Sequence, residues 1–162
     1  MKMRLSKERY YLNIAKEIGE RSTCLRRKFG AILVSTENVI VGTGYNGSAR
    51  GVINCVDNGT CLKDAHNAEH YSNYDWCPAV HAEENAIINS DRAQRIGATL
   101  YIVGVDAKTG KLTFSWPCKR CKRKLINSMI ERVVTLDTEN NIISYKVSDW
   151  AEEDTKWYKE NL

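Results

Sequence analysis

No run of apolar residues among the 162 approaches the length needed to span a bilayer. The opening stretch MKMRLSKERYYLNIAKEIGE lacks a secretory apolar segment and reads as an amphipathic helix. There is no internal repeat and no low-complexity tract, which excludes repeat architectures. Charge of one sign is not concentrated either. The net charge is +4, and Lys and Arg are spread over several segments, so no extended stripe for nucleic acid is visible. That balance is an ordinary solubility margin that also suits a phosphate-bearing ligand.

What is present describes a globular chain. The apolar share is 43% and the charged share 27%, and the length is right for one domain spanning residues 1–162 with a real core. The expected setting is cytoplasmic, with no membrane partner. There, six cysteines are metal ligands or reduced thiols sooner than disulfides.

Taken in order, Ser6 is a helix cap, and the helix runs to about Glu20 with Tyr10, Leu12, Ile14, Ala15 and Ile18 on its apolar face. A polar connection follows, carrying Cys24 and the basic group Arg26, Arg27 and Lys28. FGAILVS (29–35) and NVIVGTGY (38–45) read as an antiparallel hairpin. Residues 46–80 hold no convincing regular element, and a connection this long in a compact domain is functional, cross-linked or mobile. From Ala82 to about Arg95 the pattern is helical, with Ala86, Ile87 and Ala93 inward. Residues 98–105 form a strand, a helix follows from Pro117 to about Met129, and strands follow at 132–137 and 142–147. A charged helix covers Asp149–Glu160. Strands alternating with helices imply an α/β layered domain with a mixed sheet.

Two motifs carry chemistry: HAEENAI (81–87) and WPCKRC (116–121). Proline tolerates the first position of a helix. If the helix begins at Pro117, Cys118 and Cys121 share one side of its first turn. Unpaired N–H groups there favour thiolate, the metal-binding form. His81 can supply a third ligand, and catalytic zinc sites commonly keep three protein ligands and one open position. Glu83 is close enough in sequence to reach that open position without binding the metal. A lone Cys-x-x-Cys would equally suit a structural zinc knuckle. Combined with His-x-Glu, it is the signature of zinc deaminases.

With these motifs placed, the chain resembles the cytidine deaminase superfamily, and within it the deoxycytidylate (dCMP) deaminases. The likeness rests on STCLRRKFGAIL (22–33), GTGYNG (42–47), HAEENAI, and PCKRC with KLINSMI (124–130), and it fades beyond residue 145. It implies a three-layer α/β/α fold with a mixed five-stranded sheet. It also implies zinc held by His81, Cys118 and Cys121, and hydrolysis of dCMP to dUMP and ammonia with Glu83 as the proton carrier. Many members are hexamers activated by dCTP, with Mg2+ accompanying that effector, and inhibited by dTTP. Three alternatives stay open: a deaminase of a polynucleotide such as tRNA adenosine, a deaminase of a free nucleoside, and a non-catalytic accessory protein. GYNG and the long insertion argue against a polynucleotide partner, and the intact Glu83 argues against a purely structural zinc.

Substrate contacts are less legible. Asn46 resembles a residue that contacts sugar or phosphate, although Asn-Gly is also a strong turn signal. Arg26 and Lys28 are phosphate candidates, a guanidinium being able to bind phosphate bidentately, or else a solvated basic run. Arg92 resembles an arginine near subunit contacts and the nucleotide site in phage relatives; its alternative is a solvent-facing helix residue. Trp116, Tyr71, Tyr74 and Trp76 either line a ligand site or pack a core. Finally, Cys24, Cys55 and His70 match the places at which phage relatives bind a second zinc. Tetrahedral coordination needs a fourth ligand, for which Cys77 is the choice and Cys61 the reserve. Reduced, buried thiols are the alternative.

Overall fold

The computed structural model describes residues 3–69 and 72–162. Helix α1 (Lys7–Gly19) is capped by Ser6, whose hydroxyl accepts from the Arg9 N–H at 3.2 Å. Strands β1 (Arg27–Val34) and β2 (Ile40–Tyr45) form the expected antiparallel hairpin. The insertion 46–80 contains short regular pieces that its polar composition concealed. These are β3 (Gly47–Ser48), α2 (Cys55–Asn58), α3 (Leu62–Ala65), a 3-10 turn at Tyr74–Trp76, and β4 (Ala79–Val80), which pairs with β3. Then come α4 (Ala82–Ile88), α5 (Arg92–Arg95), β5 (Thr99–Asp106), β6 (Leu112–Thr113), α6 (Lys119–Asn127), β7 (Arg132–Leu136), β8 (Ile142–Lys146) and α7 (Val147–Glu160).

The main sheet runs β2-β1-β5-β7-β8, with the two-residue β6 added alongside β5. It is mixed: β5 and β7 are parallel, and the other pairings are antiparallel. A parallel pair needs a crossover, and α6 lies on it.

Alternation along the central strands sorts the core into two layers. Ala31, Leu33, Leu100, Ile102 and Val133 face α4, α6 and α7, meeting Ala86, Leu125 and Trp150. Ile32, Val34, Tyr101, Val103 and Val134 face α1, meeting Tyr11, Leu12 and Ala15. Side chains of successive strand residues point to opposite faces, so near-continuous apolar runs mark strands covered on both sides. The result is the three-layer α/β/α arrangement.

Several boundaries differ from expectation. The helix after His81 breaks at Asn89–Ser90 and restarts behind Asp91, whose carboxylate accepts from the Ala93 N–H at 3.0 Å. Ala93 is consequently exposed rather than inward. On α1, Tyr10 faces solvent and Tyr11 takes the buried place. No described helix is long and apolar enough to cross a membrane.

Two glycines set how closely helices approach the sheet. A methyl group on Gly30 of β1 would overlap the Ala15 carbonyl oxygen and the Gly19 nitrogen of α1. One on Gly44 of β2 would overlap the Ala82 oxygen and the Ala86 nitrogen of α4. The second contact positions the site.

Candidate metal centre and nucleotide cavity

Helices α4 and α6 begin side by side. His81 is the residue that caps α4, and Cys118 caps α6 with extended backbone (φ −65, ψ 164). Helix α6 thus starts at Lys119, not at Pro117, and Cys121 is its third residue. The histidine Nδ1 lies 3.6 Å from the Cys118 sulfur and 3.3 Å from that of Cys121. Among the described residues this is the group of potential ligands that converges, all three atoms lying within 4.8 Å of one another. Around tetrahedral zinc with bonds of about 2.3 Å to sulfur and about 2.0 Å to nitrogen, N and S ligands stand roughly 3.5 Å apart. The observed spacings and the mixed N/S donor set therefore suit zinc.

The Cys121 thiol hydrogen-bonds the Cys118 sulfur, and His81 adds to it, pushing the Cys118 thiol down to about 3. Cys121, the donor of that bond and itself buried, is correspondingly raised. His81 is raised, first by its bond to Cys118.

Glu83 is 5% exposed, and burial lifts its carboxyl above the ordinary range. Glu84 faces away. One of its oxygens accepts from the His81 N–H at 2.8 Å, and the other pairs with Lys124 of α6. That carboxylate links the two ligand-bearing helices and leaves Glu83 to face the cavity. The neighbouring acids thus have separate surroundings.

The cavity is lined by His81, Glu83 and Cys118 together with Phe29, Ile102 and Trp116. Trp116 is both wall and core. Its ring centroid is 4.4 Å from that of Tyr145 and 5.9 Å from that of Trp150, and the Lys122 ammonium lies 4.0 Å above it. Helix α7 thereby supports the pocket wall, and Arg123–Asp154 at 2.9 Å ties α7 to α6.

Residues 5–137 match the family described as "Cytidine and deoxycytidylate deaminase zinc-binding region". The chain belongs to that family. Its sequence is 38% identical over 132 residues to the deoxycytidylate deaminase of Mycobacterium phage D29, covering 78% of this chain and 91% of the phage protein. It is 32% identical over 149 residues to the deoxycytidylate deaminase of Schizosaccharomyces pombe, covering 91% of this chain but only 42% of the yeast protein. In three dimensions it is similar to the dCMP deaminase of cyanophage S-TIM5. The apo form aligns with a TM-score of 0.56 at 23% identity over 83% of this chain and 86% of that one. The complex with dCMP and dUMP aligns at 0.55 and 22% over 84% and 85%. At those identities the structural likeness supports the deaminase fold.

The rest of this deaminase cavity sorts the remaining candidates. Asn46 lines it, but its side chain is 7% exposed and largely occupied. Its Oδ1 accepts from the Phe29 N–H at 2.8 Å and from the Ser22 hydroxyl at 2.6 Å, and its Nδ2 donates to the Arg27 carbonyl at 2.9 Å. The residue clamps the start of β1 to the end of β2, leaving one amide hydrogen for a ligand. Arg26 borders the cavity and meets Asp64 at 3.3 Å. Lys28 pairs with Glu20 at 2.9 Å and borders a separate surface depression. Arg92 is exposed on α5, outside the residues lining the cavity.

The insertion contributes part of the lining. Cys24, Cys55, Cys61 and Cys77 all border the cavity and are unbridged. The Cys55 thiol is pushed up to about 11, first by burial and then by Cys61, Cys24 and Cys77. His70 and Tyr71 lie outside the described residues. Tyr74 lines the cavity with its ring centroid 5.5 Å from that of His81, whereas Trp76 packs against His66 at 4.8 Å. Lys63 of α3 is the lining residue that sequence reasoning missed. A lysine in a polar loop reads as solvated, and no spacing signal marks it.

Proposed function

We propose that this chain hydrolytically deaminates dCMP to dUMP and ammonia, supplying dUMP for thymidylate synthesis, as one catalytic unit over residues 1–162. The observation that carries this is a single cavity lined by His81 and Cys118 of the converging triad, by buried Glu83 and by the basic side chains Arg26, Arg27 and Lys63. Family membership and the relatives named above support it.

His81, Cys118 and Cys121 would hold the zinc. When bound, that ion supplies a nucleophile at neutral pH by acidifying water from pKa about 15.7 toward about 7. Glu83 is placed to carry a proton to N3 of the pyrimidine and then to the departing amine. Its buried position keeps bulk water from competing for that proton. Trp116 and Phe29 flank the space for the ring, and Asn46, with Arg26, is assigned to the sugar–phosphate side. Arg92 is assigned a secondary contact to a subunit neighbour or to the nucleotide; Lys28, paired with Glu20 outside the cavity lining, is not carried into the site.

Ammonia release from dCMP and from deoxycytidine tests the reading. The nucleotide should be preferred in kcat/KM by at least about 10- to 100-fold, the range for one charge-assisted bond to phosphate. Equal values would remove the nucleotide assignment and leave a nucleoside deaminase. No ammonia from either would favour another substrate or a non-catalytic role.

A second, structural zinc held by Cys24, Cys55, Cys77 and His70, with Cys61 in reserve, belongs to the same proposal. The place of Cys24, Cys55, Cys61 and Cys77 in the lining of one cavity supports it, although among the described residues these sulfurs form no converging group of three. Such an ion would anchor the insertion to the segment before β1, supplementing the small apolar core that the insertion can bury. Elemental analysis should give two zinc ions per chain, falling by one in Cys55→Ser, with the insertion then cut faster by protease. One zinc in the wild type, unchanged in Cys55→Ser, would overturn the second site. Homo-oligomerisation, as a hexamer, activation by dCTP with Mg2+ and inhibition by dTTP complete the proposal, together with a cytoplasmic setting. A flat activity response to both nucleotides would remove the regulation alone.

A further inference from the structure

Lys63 is only 8% exposed, yet it lines the cavity that holds His81 and Glu83. Helix α3 sets it there from the insertion, and its ammonium stands 5.1 Å from the centroid of the Tyr74 ring. Among the described residues no carboxylate forms an ion pair with it, and no acceptor takes a hydrogen bond from it. The nearest acid in sequence, Asp64, is directed to Arg26 at 3.3 Å instead. Although the residue is largely covered, the ammonium nitrogen itself is not a buried atom, so it meets the cavity as an accessible cation. An anion entering the cavity would meet there a cation that no carboxylate of the described residues neutralises.

The cavity also indicates which anion. Arg26 and Arg27 border the same space, so positive charge converges on it from the start of β1 and from α3. Glu83 lines the same cavity and is a group suited to proton transfer rather than to anion binding. A ligand that satisfies both kinds of group carries a nitrogenous ring and an anion. We propose that Lys63 is a specificity-determining residue that binds the 5′-phosphate of the nucleotide. This rests on the dCMP reading above and assigns the phosphate a partner from the insertion, outside the two metal-binding motifs. A compact ammonium suits a phosphate oxygen as a point charge.

Lys63→Met keeps most of the aliphatic stem and removes the charge; Lys63→Arg restores a charge of different shape. Calorimetric titration with dUMP and with deoxyuridine reads affinity without turnover, and kcat/KM for dCMP against deoxycytidine reads preference. Lys63→Met should weaken dUMP binding by about 10- to 100-fold relative to deoxyuridine, as expected for losing one charge-assisted hydrogen bond. The preference for dCMP should fall by the same factor, through KM rather than kcat, with partial recovery in Lys63→Arg. Zinc per chain should stay at the wild-type value. A wild type that prefers the nucleotide, with a Lys63→Met variant that keeps that preference, overturns the role of Lys63 alone. Loss of zinc with unchanged preference also overturns it, placing the ammonium with the neighbouring sulfurs. A wild type that binds dUMP no more tightly than deoxyuridine overturns both this assignment and the nucleotide reading.

Discussion

Glu83→Gln is expected to retain zinc and fold while lowering turnover of dCMP by about 10²- to 10⁴-fold, the range typical of general acid–base catalysis. The upper end is the better expectation, because one carboxyl serves successive proton transfers. Glutamine matches the shape of the side chain and is neutral, so it removes the proton carrier without adding an uncompensated charge to a site where Glu83 is 5% exposed. Metal content should be unaffected because the converging donors are His81, Cys118 and Cys121. The helix start should survive too, since the carboxylate bonded to the His81 N–H is that of Glu84. Elemental analysis, melting temperature and single-turnover ammonia release together check the claim. Near-normal turnover at full zinc occupancy would remove Glu83 from the chemistry. Loss of zinc would instead make it part of the metal site.

Much of this arrangement was legible because it depends on local rules. Ser6 marked a helix start through its hydroxyl, and the apolar runs at 29–35 and 98–105 marked strands covered on both faces. The two metal-binding motifs were readable by spacing, although their backbone was not. Cys118 sits before the helix as its cap, which still leaves its sulfur near that of Cys121. Helix α4 was overextended to Arg95 because apolar periodicity outweighed the Ser90–Asp91 pair, which restarts the chain as α5.

What was illegible depends on tertiary placement. Asn46 invited a choice between turn former and ligand contact, and its amide mainly joins two strands and Ser22. Lys63 and Asp64 are adjacent in a polar loop, and nothing in their sequence says that one enters the cavity while the other holds Arg26. The support of Trp116 by Tyr145 and Trp150 spans segments that no short motif connects.

The glycines of GTGY were read as part of a family likeness, and the structure gives them a mechanical reason. Gly44→Ala is expected to reduce turnover by roughly 10²-fold or more, with a modest loss of stability. The added methyl would overlap the Ala82 oxygen and the Ala86 nitrogen, and would lie 2.7 Å from the Asn85 Cβ. Two of these are backbone atoms of α4, so no side-chain rotation relieves the overlap. Asn85 and Asn89 also hold α4 to β2, donating to the carbonyls of Tyr45 and Thr43 at 2.8 and 2.9 Å. The helix must tilt or lift from the strand, and its first turn carries Glu83 with His81 just ahead. A misplacement of about 1 Å at a reacting centre can cost ~10²-fold. Overpacking of this kind costs about 1–3 kcal/mol, a fall in melting temperature of roughly 2–12 °C for a chain of this size. Gly110→Ala is the control. It carries the backbone penalty of a left-handed glycine (φ +69) at a turn with nothing within 4 Å, and turnover should stay within about twofold. Turnover per bound zinc, measured well below both melting temperatures, separates a displaced helix from an unfolded one. Wild-type turnover in Gly44→Ala would mean that α4 tolerates the shift and that the close approach does not position the site.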